Sequence, residues 1–210
     1  MVEAIGYNLS CFPLEAPLLD DATVILRPMV AQDEDALLAF FQGIPEEERY
    51  FMREDAASPG VVRRWATGLD YDLVLPLLAF VEGAIVGDVT LARDPSPARR
   101  HVGHLSVCVH PGYRGLGLGT IMMHHMMVLA NERGMEALTF EAVADHEEHA
   151  IRSAIWLGFS QAARLRGAAK DAEGKKYDVI VMEALLGKWY DWWPLRVSAG
   201  QVHVRFPWVA

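Results

Sequence analysis

The chain has 210 residues, 52% of them hydrophobic, with a formal net charge of −9 and two cysteines. That length and composition suit one buried core with appendages better than two independent domains. The acidic balance argues against a nucleic-acid surface, no apolar run reaches the roughly 20 residues that span a bilayer, the amino terminus lacks the basic start of a secretory signal, and Cys11 and Cys108 cannot build a disulfide framework. A cytoplasmic protein is expected, with an acidic surface that permits a cationic substrate.

Residues 1–22 carry acidic side chains, prolines and no sustained period, and read as an N-terminal extension lying on the domain or loosely ordered. The domain itself is expected over 23–186. Its first strand is the β-branched run 23–29, closed by Pro28. Asp33 is placed to cap a helix running to Phe41, a second helical stretch follows Pro45, and a third spans 58–68 with Ser58 as cap and Pro59 in its first turn. Two apolar runs, 73–81 and 84–92, are separated by Glu82-Gly83, the signature of a hairpin.

After a loop at 94–100, an alternating strand at 102–109 leads through Pro111-Gly112-Tyr113 into Arg114-Gly115-Leu116-Gly117-Leu118-Gly119-Thr120 and then an apolar helix. Glycines at alternate positions let the backbone turn sharply and bring consecutive N–H groups onto one anion, and the helix adds its positive end. Arg114 stands where a forked cation can hold a phosphate at two points. The loop reads as a phosphate cradle, but it lacks the Lys of a P-loop, and its last glycine comes one position early for a dinucleotide fingerprint.

The helix 117–133 ends at Gly134, and 138–143 returns as a strand, giving a βαβ unit. A helix at 146–156 follows, then strands 159–166 and 177–185 around a polar turn. The tail, 187–210, concentrates Trp189, Tyr190, Trp192, Trp193, Phe206 and Trp208, with strand-like alternation at 202–206. Such a tail can seal the core, make a homodimer contact or wall an acceptor site.

Val107-Cys108-Val109-His110-Pro111 followed by Arg114, Gly117 and Gly119 resembles the acyl-CoA site of the GNAT superfamily of N-acyltransferases. Over roughly residues 23–186 the likeness is greatest to the protein-lysine acetyltransferase branch. It is carried by Val24-Ile25-Leu26-Arg27-Pro28, Asp33-Glu34-Asp35, Glu48-Arg49-Tyr50-Phe51, Asp70-Tyr71-Asp72, Ala150-Ile151 and Leu157-Gly158-Phe159. The resemblance implies an α+β fold: a mixed, mostly antiparallel twisted sheet of about six to seven strands flanked by about four helices. It implies acetyl-CoA as co-substrate and a primary amine as acceptor, on a small molecule or a protein lysine, with direct attack in a ternary complex. By the same resemblance Val107, Cys108, Val109, the run Arg114 to Thr120 and Glu147 contact the cofactor, and the N–H of Val109 or Cys108 polarises the thioester carbonyl. Glu147 stands where relatives frequently have Asn, His104 where many have Glu, and Ala154 where many have Tyr.

His104 is the candidate general base, because imidazole titrates near neutrality, although a structural hydrogen bond at a strand start explains it equally well. Glu141 is the fallback. Tyr113, Cys108 or Tyr177 can protonate the leaving thiolate. Cys108 as an acylated nucleophile lacks a His-Asp partner, and a small apolar strand residue is the plainer account. Eight histidines raise a metal site, but no Cys or carboxylate completes a set, so none is expected. Two further readings stay open: a non-catalytic acyl-CoA-binding or sensing module, and transfer of a longer acyl group.

Overall fold

In the computed structural model, residues 7–187 are described, together with the backbone of two further strands, Leu195–Ser198 and Gln201–Val204. Four strands precede the glycine loop's own strand: β1 (Leu14–Pro17), β2 (Thr23–Pro28), β3 (Val74–Val81) and β4 (Ala84–Arg93). Helices α1 (Glu34–Gln42), α2 (Glu46–Arg49) and α3 (Pro59–Thr67) lie between β2 and β3. The second half runs β5 (Val102–Val109), α4 (Leu118–Glu132), β6 (Ala137–Val143), α5 (Glu148–Trp156), β7 (Ser160–Lys170) and β8 (Lys176–Leu185). Among the described residues these build an eight-stranded sheet in the order β1-β2-β3-β4-β5-β6-β8-β7, one strand more than expected, with the five α-helices that the sequence pattern predicts where the resemblance implies about four. All neighbours are antiparallel except β5 and β6.

The extra strand is β1. Its Leu14-Glu15-Ala16-Pro17 is too short to show a period, yet it pairs with β2 and buries Ala16, with Leu18 buried just beyond. Part of the 1–22 extension is therefore sheet edge. Pro17 is compatible with that place because an edge strand needs no donor on its outer side.

Residue alternation sorts the sheet's two faces. Leu75, Leu77, Val89, Leu91, Leu105, Leu138 and Phe140 face α4 and α5, whereas Leu78, Phe80, Ile85 and Cys108 face α1 and α3. In the β3–β4 hairpin, Glu82 and Gly83 both have positive φ (50° and 83°), the two-residue turn whose twist matches the strands. The register then slips, Ala79 facing Gly87 and Phe80 facing Ile85, so Val86 is an extra residue on β4. Gly87, next to it, lets α4 approach closely: a Cβ there would lie 2.8 Å from Met122 Sδ and 3.4 Å from Leu118 Cδ2.

Asp33 does not cap α1 with its side chain as expected; a 3-10 turn, Ala31–Asp33, leads into the helix. Its carboxylate instead receives both ends of the Arg27 fork at 2.6 and 2.7 Å and the Val30 N–H at 2.8 Å. Burial pushes this carboxyl upward, but the bonds from Arg27 and Val30 outweigh it and hold it below its ordinary range. Ser58 likewise stands before α3 without a side-chain cap bond. After β8, β9 (Leu195–Ser198) and β10 (Gln201–Val204) form a hairpin. The tail aromatics Trp189, Tyr190, Trp192, Trp193, Phe206 and Trp208 lie outside the described residues.

Candidate active site

The site begins where two strands part. β5 and β6 pair only at Val102–Ala137, Gly103–Leu138 and His104–Thr139, while β6 continues beside β8 as far as Val143. Residues 105–109 are therefore left without a strand on one side.

The backbone groups that face this opening follow from the ladder. His110 N–H donates to Val86 O at 2.9 Å, and His101 O accepts from Glu136 N–H at 2.7 Å on the β6 side. Even-numbered residues of β5 thus turn their N–H and C=O towards β4, and odd-numbered ones towards the gap. Val107 and Val109 present their amides to the opening; Cys108, the other residue expected to polarise a carbonyl, spends its amide on β4.

The glycine loop closes the same end of β5. Gly115 and Gly117 have φ of 74° and 84°, the second as N-cap of α4, a conformation an L side chain adopts only at a cost. Leu116 O is turned outward to accept Leu19 N–H at 3.2 Å, and the ladder of α4 starts with Ile121 N–H on Gly117 O at 3.0 Å. The amides of Gly115, Leu116, Gly117, Leu118, Gly119 and Thr120 meet no acceptor among the described residues. Six free donors in consecutive order at the positive end of a 15-residue helix fit a diphosphate.

Arg114 does not point into this cradle. Its Nε donates to Val109 O at 3.0 Å, and its two terminal nitrogens donate to Glu48 Oε1 and Oε2 at 2.9 and 2.5 Å. The backbone N–H of Arg114 goes to Pro111 O at 3.3 Å. Glu48 brings α2 to the cleft.

Asp88, on β4 opposite Cys108, was not singled out in the sequence. It is half-buried on the α1–α3 face, and desolvation there pushes its carboxyl up to about 7, only slightly offset by Thr90 Oγ1 at 3.4 Å. No cation pairs with it among the described residues. Burial, with Asp88 nearby, pushes the Cys108 thiol up to about 12, so it is held as a thiol and is a poor nucleophile. Glu147, just before α5, is raised by burial, opposed by the Val143 N–H donated to its Oε2 at 2.5 Å. Its charge is the weakest of those that raise the Cys108 thiol.

His104 sits at the fork of the two strands, exposed, with Nδ1 2.7 Å from Thr139 Oγ1. It lies four residues from Cys108, about 13 Å along the strand. The segment after α2 reaches across to the far panel: Phe51 meets His146 at a tilt (4.8 Å between centroids) and Tyr177 edge-on (5.8 Å), and Arg53 pairs with Glu141 at 3.4 Å. The Tyr177 hydroxyl donates to Asp171 at 2.9 Å. Ala154 is fully buried on α5, and Tyr113 stands beside His110. No group of three metal-ligating side chains occurs among the described residues.

Residues 33–159 match the model of the acetyltransferase (GNAT) family, more than half of the chain. The chain belongs to the GNAT acetyltransferase family. Solved GNAT structures share its fold. An acetyltransferase of the family from Streptococcus pneumoniae is 24% identical, covering 78% of this chain and 99% of its own, with a TM-score of 0.69. The GNAT domain of PAT from S. lividans is 21% identical, covering 82% and 96%, at 0.67. The yncA protein of Salmonella typhimurium, solved with acetyl-CoA, is 18% identical, covering 79% and 95%, at 0.67. The GNAT domain of this chain thus carries the parted strands and glycine loop together, and no described helix is long and apolar enough to cross a membrane.

Proposed function

We propose that the chain moves the acetyl group of acetyl-CoA to a primary amine, on a small molecule or a protein lysine, by direct attack within a ternary complex in the cytoplasm. The observation that carries this reading is the run of unclaimed amides from Gly115 to Thr120 beside the opening between β5 and β6. Acetyl-CoA supplies an activated thioester. The loop amides hold its diphosphate, and the gap-facing amides of Val107 and Val109 hold the pantetheine arm and the thioester oxygen. Glu147, before α5, is bonded to the last amide of β6, and by family likeness it is the residue at the entry of that helix that meets the cofactor.

Asp88 is the residue that takes the proton from the incoming ammonium, directly or through water. It is a carboxyl at about 7 on the acceptor face, and its ladder partner Cys108 directly precedes Val109. His104, bonded to Thr139 at the fork, is the remoter base. The raised Cys108 thiol favours direct transfer over an acyl-enzyme. With the Tyr177 hydroxyl engaged by Asp171, Tyr113 is the candidate donor to the leaving thiolate.

The test is free-thiol release from acetyl-CoA with a panel of polyamine, amino-acid, antibiotic and protein-lysine acceptors. Thiol release that D88N abolishes is expected. Tight binding of CoA with no release for any acceptor would favour the sensing module, and release only with longer acyl thioesters would favour the alternative donor.

A further inference from the structure

Arg114 occupies the family's phosphate-loop arginine position, yet its guanidinium is committed elsewhere. Three of its five N–H donors are spent on two elements far apart in sequence: Nε on Val109 O at the end of β5, and the two terminal nitrogens on the Glu48 carboxylate of α2, 66 residues away. Val109 belongs to the gap-facing set of β5 residues, so its carbonyl has no strand to bond. Arg114 supplies that missing partner. The Glu48 end is equally specific, since a bidentate fork fixes plane and distance together. Both side chains are about a third exposed, which leaves the pair partly shielded from solvent. With its charge neutralised by Glu48, Arg114 adds little to the attraction of a diphosphate, which the six free amides and the helix end already hold.

We infer that Arg114 is a positioning residue that ties α2, on the acceptor side, to the end of β5 and the cofactor loop, and that it is not a phosphate ligand. This inference rests on the acetyl-transfer reading. Its consequence is communication: α2 leads directly into the segment whose Phe51 and Arg53 cross the cleft, so the acceptor wall and the amide of Val109 are held by one side chain. Losing Glu48 frees α2 alone, and losing Arg114 frees both α2 and the end of β5.

The experiment measures CoA affinity by calorimetry and steady-state constants for an acceptor found in the panel, in wild type, R114Q, R114K, E48Q, E48D and the double variant E48Q/R114Q. The strut predicts that E48Q and R114Q each raise the acceptor KM about tenfold and that the double variant is no worse than R114Q, because R114Q already removes every bond of the strut, the Glu48 fork included. E48D, which retains the charge, recovers part of the loss. CoA affinity changes less than about threefold throughout. A phosphate-ligand role predicts the opposite split, with R114Q weakening CoA tenfold or more while E48Q leaves it unchanged or tighter; that result overturns the inference. A lower melting temperature and kcat with an unchanged acceptor KM also overturns it, since the pair would then be structural only. Should wild type itself bind no CoA, it is the acetyl-transfer reading that falls.

Discussion

Asp88 carries opposite demands of stability and activity. Its carboxyl is raised by burial, so the folded chain holds the proton more tightly than the unfolded one. Stability therefore declines as pH climbs from the ordinary carboxylate range to about 7, and is flat above it. D88N removes that penalty and is expected to be more stable than the parent at pH 8, by on the order of 2 kcal/mol in denaturant melts. The same variant loses about 10²- to 10⁴-fold in turnover, and the rising limb of the wild-type pH profile near 7 disappears with it. At Gly117 the expected effect is on binding: G117V forces a β-branched side chain to a φ of 84°, costing about 1–3 kcal/mol and weakening CoA at least tenfold by calorimetry. The glycine loop was legible because glycine spacing is itself the mechanism. Asp88 was not, since a lone carboxylate in the apolar run 84–92 carries no motif, and only the packing of α1 on β4 half-buries it.

Elements are held by a few directed contacts that local propensity does not reveal. Arg27 on β2 stacks on Phe80 of β3 at 4.2 Å and grips the Asp33 carboxylate before α1, joining two strands and a helix. D33N should cost about 2–3 kcal/mol in chemical denaturation, because it leaves Arg27 half-paired. The contribution of Asp33, lowered in the fold, is present above the ordinary carboxylate range and fades as pH falls below it, so D33N flattens the acid limb of the stability profile. The long strands, the β3–β4 turn and α4 were readable from period and turn chemistry. Asp33 was readable only as a capping type, since a cap and an ion pair demand the same residue and differ in whether a cation lies within reach. β1 escaped because four edge residues with a proline carry no period, although Leu18 behind it is buried. L18A should lose about 2–4 kcal/mol in thermal or denaturant melts, and the Leu19 to Leu116 bond ties that loss to the cofactor loop.

At the scale of the molecule, the βαβ pattern placed β6 after β5 and the likeness implied a mixed, mostly antiparallel sheet, but the full strand order was not legible, since pairing such as that of β6 with β8 links residues distant in sequence. What the order produces is a sheet in two panels, β1 to β5 and β6-β8-β7, joined along a seam of three residue pairs. One hydrophobic core backs both panels, but the ladder itself is open at 105–109, and a ligand there can take the place of the missing strand. Amides at Val107 and Val109 should therefore exchange with deuterium quickly in the free protein and become protected when CoA is added, while those of Leu105's neighbours on β4 change little. In mechanical terms a CoA lying in the cleft would serve as the missing tie-bar of this frame, and the deuterium-exchange comparison reads how far loading it braces the two panels.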